Sequence, residues 1–290
     1  MYRLKNKLKT HQVKLFLIMT FLSTYILWGI LLASSKGILN KYIYLNNTYY
    51  TFLRILGASM PSIIGIFLTA YFYGKKGIKK LLQSLTKWKV NILFYIAAVF
   101  SLNAQIRIVE FICKLLGMKV EVAMNIQASG FKTSSILGIL TLFLAIVLFG
   151  GPLEEELGWR GFLLPRLQSR FHPVFSAVVI GVIWSLWHLP MFFLPNTGYN
   201  SIVEYILVTV ILSLEMTWLY NKTGGSLLIA ILVHGFDNTY PLILGFSGKQ
   251  IHKVETIALI SSVLIVIIIV IDMFRKPLKK IVWKERYIDV

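Results

Sequence analysis

Three short stretches of the sequence hold side chains that can move protons or stabilise charge, and each sits in a long apolar run. The first is Gly150-Gly151-Pro152-Leu153-Glu154-Glu155-Glu156-Leu157-Gly158-Trp159-Arg160, three successive carboxylates ahead of an arginine. The second is Trp184-Ser185-Leu186-Trp187-His188, and the third His234-Gly235-Phe236-Asp237-Asn238. An ionisable side chain at the centre of a bilayer costs roughly 3 kcal/mol or more unless it is paired or hydrated, so such residues mark functional sites. Nothing about packing asks for three adjacent glutamates. On a helix Glu156 and Arg160 are i,i+4 and can pair. Glu155 lies about 100° away around the helix and lacks that partner, which suits a carboxyl to general-base work. His234 and Asn238 share a face at i,i+4. A lone histidine on an apolar helix is more often a satisfied core residue than a catalyst. Two buried histidines, a carboxylate cluster and a co-facial asparagine on three segments together point to a site.

The remaining ionisable groups have simpler readings. Arg54, Arg107 and Glu204 fall near predicted span ends and can snorkel to the interface. Glu110 is placed to pair with Arg107 on one helix face. Glu215 lies inside its segment, and both a structural and a functional reading stay open for it. His11, His172 and His252 fall in predicted loops or tails.

The elements that must position these groups are membrane helices. The chain has 290 residues, of which 57% are hydrophobic and 14% charged, with a mean hydropathy of +0.72. That leaves too little polar surface to cover a soluble globule and excludes disorder. A span needs about 20 mostly apolar residues. Eight segments qualify: 15–34, 51–73, 90–112, 136–165, 174–193, 201–220, 225–244 and 256–274. The expected fold is an all-α polytopic membrane protein of about eight helices, with a buried polar site between spans four, five and seven. No tandem repeat or linker divides the chain, so it reads as one membrane domain, 1–290, with a motif-bearing core at 135–240. At a rise of ~1.5 Å per residue, Glu155 lies ~16 Å from Arg166, His234 ~18 Å from Lys222 and His188 ~24 Å from His172. Such depths let three helices face one cavity, although Gly150-Gly151-Pro152 threatens to break the fourth span.

Lys and Arg number 30 against 12 Asp and Glu, a formal charge of +18. The cations sit in short segments between apolar runs, where they set orientation and meet anionic lipid headgroups; no nucleic-acid partner is expected. With an inside N-terminus, the inside segments hold 20 basic residues and the outside loops 7. That bias predicts a cell-membrane protein with both termini cytoplasmic. Cys113 is the single cysteine and permits no internal disulfide.

Glu155-Glu156-x-x-x-Arg160, then Trp184-x-x-x-His188, then His234-x-x-x-Asn238 resemble the three motifs of the CPBP intramembrane proteases. This family includes the type II CAAX prenyl endopeptidases and bacterial proteins tied to bacteriocin processing and self-immunity. The resemblance covers residues 135–240; residues 1–130 match only in being membrane spans. Trp184 stands where many members have Phe, which keeps the aromatic. The resemblance implies that Glu155 and His188 activate the attacking water and that His234 and Asn238 stabilise the oxyanion. Glu156 with Arg160 would orient the motif helix, supported by Trp184, and Glu154 has no assigned role. The substrate would be a membrane-associated protein or peptide, CAAX-like or a bacteriocin or signal peptide. Glu155, His188 and His234 can also be read as zinc ligands with a water in the fourth position. No His-Glu-x-x-His occurs, and Asn238 suits an oxyanion better than a zinc, so a glutamic mechanism without a cofactor is expected. The competing reading is a non-enzymatic immunity or adaptor protein; a transporter comes third, since no inverted repeat is visible. Neither the substrate's identity nor the oligomeric state is set by these residues.

Overall fold

A computed structural model describes residues 11–38, 47–125, 127–128, 130–195, 201–247 and 251–275. Every predicted span is helical. In chain order the first three are α1 (Gln12–Ser35), α2 (Asn47–Leu85) and α3 (Ile92–Leu115). The fourth is two helices, α4 (Ile136–Phe149) and α5 (Pro152–Gly158), the latter continuing through a π turn (Trp159–Leu163) into α6 (Leu164–Gln168). Then come α7 (Pro173–Trp187) with a 3-10 turn (Leu189–Phe193), α8 (Ile202–Lys222), α9 (Leu227–Ile243) and α10 (Ile251–Arg275).

The helix starts are written locally. Ser135, Ser201 and Ser226 each accept a backbone N–H at the first turns of α4, α8 and α9, and Asn91 does so for α3. These side chains satisfy donors that a helix start leaves unpaired. Gly74 takes φ 60° and interrupts α2 where the apolar run ends and Lys75, Lys76, Lys79 and Lys80 begin.

The expectation of about eight spans is refined, and the fourth is broken where Gly150-Gly151-Pro152 threatened to break it. Among the described residues six helices are long and apolar enough to cross a bilayer, and α4 with the bent continuation Pro152–Gln168, at 40°, makes a seventh if the pair is one span. The bend follows from Gly151 at φ +114° and from Pro152, which has no N–H to continue the α4 ladder. The α9 helix is apolar and has 17 residues, at the lower limit of a span's length. The last helix begins at Ile251 rather than 256, so His252 is helical and pairs with Glu255 at 3.1 Å instead of lying in a loop.

Exposed apolar side chains line the outer faces, such as Ile18, Leu22 and Ile26 on α1 and Ile260, Leu264 and Ile268 on α10. Such faces fit lipid, and all polar backbone in them is helical. With at least six such helices the chain is a multi-pass membrane protein. Its interior holds large rings: Phe16, Trp28, Trp159, Phe162, Trp184 and Trp187. Small residues set the closest crossings, as they do where no hydrophobic drive exists between helices in lipid. A Cβ on Gly65 of α2 would stand 3.0 Å from Gly158 Cα, and one on Gly235 of α9 would stand 2.9 Å from Phe143 of α4. Two short ribbons join the loops: β1 (Glu121–Met124) pairs antiparallel with β4 (Leu244–Ser247), and β2 (Gln127–Ala128) with β3 (Phe131–Lys132).

Candidate active site

The α2–α5 crossing fixes the first cluster. Ser62 Oγ donates to Leu153 O at 3.0 Å and Ser59 Oγ to Glu154 Oε1 at 3.2 Å. Glu154 Oε2 also accepts the Gly151 N–H at 2.8 Å. The side chain without a role in the sequence is therefore the clasp that restarts the helix after the break.

One residue on, Glu155 points elsewhere. Its Oε2 accepts the indole N–H of Trp184 at 2.5 Å and that of Trp159 at 3.3 Å. Two donors hold one carboxylate oxygen, and the other, Oε1, faces the space beside Gly151. Glu156 points a third way. Its Oε1 accepts from Arg160 Nη1 at 3.1 Å, as its i,i+4 spacing predicted, and from His234 Nδ1 at 3.0 Å. Arg160 lies 4.9 Å from the centre of the Trp184 ring, and Trp184 meets the His234 ring edge-on at 5.0 Å. These groups are dry: Glu155 is 4% exposed, Glu156 and Arg160 0%, His234 3% and His188 8%. At such burial each charge needs its partner, and removing one partner leaves the other uncompensated.

The histidines are oriented by their Nδ1 atoms. Because a carboxylate only accepts, His234 donates from Nδ1 to Glu156 and turns Nε2 toward Gly151. His188 Nδ1 lies 3.0 Å from Trp184 O, an acceptor, which places hydrogen on Nδ1 and the acceptor lone pair on Nε2. The ring sits among Trp28, Trp187 and Tyr205, with centroids 6.1, 4.5 and 5.3 Å away. Asn238 Nδ2 donates to Gly150 O at 2.8 Å, tying α9 to the break in the fourth span.

The break is where the clusters meet. An ideal Cβ on Gly151 would lie 2.8 Å from Glu155 Oε1, 3.4 Å from Asn238 Nδ2 and 3.4 Å from His234 Nε2. Gly151 has no such atom, so a carboxylate oxygen, an amide and an imidazole converge close to its Cα and border the open space beside it. A cavity of about 230 Å³ extends from it and is lined by Glu154, Glu155, Trp184, His188, His234 and Asn238, with Arg54 at its rim. The sequence-predicted site residues are thus brought to one place, with Glu156 and Arg160 just behind.

Sequence reasoning missed three participants. Gly151 was read as a weak point rather than as the place where Glu155, Asn238 and His234 converge. Trp159 is i,i+4 from Glu155, a spacing that was available. Asp237 lines the same cavity next to Asn238 and was passed over. As to zinc, no three His, Cys, Asp or Glu side chains among the described residues gather closely enough to hold a metal ion.

A curated relative, "CAAX prenyl protease 2" of Methanococcus maripaludis, is 28% identical over 240 residues, covering 78% of this chain and 82% of its own length. The family model described as "Type II CAAX prenyl endopeptidase Rce1-like" matches residues 137–240, the stretch from α4 to Tyr240 that carries all three polar clusters. With the break, the paired glutamates and both histidines gathered inside that stretch, the motif-bearing part of the chain is similar to the type II CAAX prenyl endopeptidases.

Proposed function

We propose that the protein is an intramembrane endopeptidase that hydrolyses a peptide bond of a membrane-associated protein or peptide. The observation that carries this reading is the convergence of Glu155 Oε1, Asn238 Nδ2 and His234 Nε2 around Gly151, on the wall of one cavity. A base on one side and donors on the other is what acyl hydrolysis requires of a site. The relative's name attaches it to CAAX prenyl substrates; for this chain the class inferred is a peptide segment held at the membrane.

In this reading Glu155 and His188 take the proton of a water as its oxygen attacks the scissile carbonyl carbon. The carbonyl oxygen becomes an oxyanion and receives hydrogen bonds from Asn238 and His234. For His234 to donate from Nε2 as well as Nδ1 the ring must be imidazolium, and Glu156 is the counter-charge beside it. The proton then passes to the leaving amine, the C–N bond breaks, and an acid and an amine leave. No step is assigned to a metal; the support for that is that no three His, Cys, Asp or Glu side chains among the described residues gather closely enough to hold one. Both termini are cytoplasmic in this reading, which the 20-to-7 distribution of loop cations supports.

The test is cleavage in membranes from cells expressing wild type or Glu155→Ala at matched levels. Loss of specific cleavage products in the variant supports the protease. Full function of a well-expressed Glu155→Ala protein returns the reading to a binding or immunity protein.

A further inference from the structure

Two acidic side chains inside the bundle take no part in the chemistry above. Glu215 lies on α8 and Asp237 on α9, and both face a second cavity of about 100 Å³. Ser101 and Gln105 of α3 and Ser262 of α10 complete its polar lining. Ser101 donates a hydrogen bond to Glu215. Ser262 Oγ donates to Ala258 O at 2.9 Å and toward Gln105 Oε1 at 3.3 Å. Asp237 accepts no hydrogen bond from the described residues, and its electrostatic neighbour is the second carboxyl, Glu215.

This lining has more acceptors than donors. Both hydroxyl hydrogens are used, which leaves the Gln105 amide as the remaining side-chain donor for two carboxyl groups. Polar atoms placed inside a protein find their partners in protein or in water. A polar cavity holds water where each molecule meets two to four polar groups, and at ~30 Å³ per molecule this one has room for about three. The chamber also shares a wall with the catalytic cavity: Val208, Leu212 and Asp237 line both. Asp237 is the polar member of that wall, so water crossing it passes a carboxyl group. The rest of the chamber lies on α3 and α10, which do not line the catalytic cavity, so a peptide that fills the one leaves the other free.

We propose that this chamber binds water and hands it past Asp237 to the catalytic cavity, supplying the nucleophile while a peptide fills that cavity. A substrate that closes a site expels water from it, yet each peptide bond hydrolysed consumes one water. In a bundle faced by lipid that water needs a polar route, and ionisable groups inside membrane helices mark such routes. Glu215 and Asp237 are positioning residues in this role: they accept hydrogen bonds from the water and exchange no atoms with the substrate. The part played in turnover rests on the protease reading; the hydration of the chamber does not.

The experiment compares isosteric variants of the full chain in lipid nanodiscs. Ser101→Val with Ser262→Val removes both hydroxyls, whereas Ser101→Thr with Ser262→Thr adds the same bulk and keeps them. Pulsed radiolysis turns bound water into hydroxyl radicals that mark the side chains touching it. Phe236, which lines the chamber and not the catalytic cavity, is the reporter, read by mass spectrometry. The expected result is a labelled Phe236 in wild type and in the Thr pair, and several-fold weaker labelling in the Val pair. The Val pair should also show a several-fold lower kcat than the Thr pair at equal KM, because water enters the chemistry and not substrate binding. Phe236 unlabelled in wild type, or labelled equally in the two pairs, overturns the proposal. Weaker labelling with equal kcat overturns the supply of water to the reaction. If the Val pair melts lower than the Thr pair, single Ser262→Val and Ser262→Thr chains carry the same comparison. If wild type cleaves nothing, the protease reading and the supply role fall together, while the labelling still decides whether the chamber holds water.

Discussion

Trp184 donates its indole N–H to Glu155 Oε2 at 2.5 Å, joining two helices across 29 residues of sequence. Trp159 adds a second donor to the same oxygen, so the carboxylate is held by two rings and presents its other oxygen to the cavity. A hydrogen bond to a charged group contributes about 1.5–3 kcal/mol. Trp184→Phe keeps an aromatic ring and loses the donor. The expected outcome is a folded protein that unfolds at lower temperature in detergent and cleaves more slowly, with Trp159 still holding Glu155. Unchanged thermal stability and rate would show that the bond contributes nothing.

Neighbouring glutamates should separate by function. Glu154 clasps the helix start through Gly151 N–H and Ser59, so Glu154→Gln should lose about 0.5–2 kcal/mol, the usual range for a lost cap, and retain measurable turnover. Glu155→Gln should retain stability and lose turnover, because its oxygen borders the open space beside Gly151. The check is melting temperature and cleavage rate on both purified variants. Equal loss of turnover in the two would contradict the separation.

Asn238→Ala tests the oxyanion. If its amide donates to a tetrahedral oxygen, kcat should fall by about 10²–10³, or about 2.7–4 kcal/mol, with KM little changed. A rise in KM at constant kcat would make Asn238 a binding residue instead. Since Asn238 also holds Gly150 O, membrane level must be measured alongside.

Gly151→Ala puts a methyl 2.8 Å from Glu155 Oε1 and strains a backbone at φ +114°. Strain of this kind costs about 1–3 kcal/mol, whereas displacement of the Glu155 carboxylate should abolish turnover. Full cleavage by a well-expressed Gly151→Ala protein would show that the close approach of Glu155 to Gly151 is not needed.

Metal is decided by removal and return. A Glu155 general base predicts purified protein without stoichiometric zinc and turnover that persists through prolonged chelation. Activity lost on chelation and restored by zinc would replace this mechanism with attack by a metal-bound hydroxide.

The sequence by itself determined the class of molecule and the places where chemistry sits. Apolar runs of bilayer length made eight helices legible, because helix formation in lipid is a local matter of satisfying each backbone group within its own segment. The Glu156–Arg160 pair was legible for the same reason, since i,i+4 neighbours meet on any helix. Gly150-Gly151-Pro152 marked the place of the break. What only the tertiary structure decided were relationships that depend on how helices rotate and cross. Glu156 also serves His234, 78 residues away, and Glu155 is held by Trp184 on another helix. Glu154 turned out to be a clasp because Gly65 and Gly158 let α2 come close enough for Ser59 to reach it. The break at Gly150-Gly151, which in sequence looked like damage to a span, became the centre of the site, because only the folded bundle brings α9 beside it.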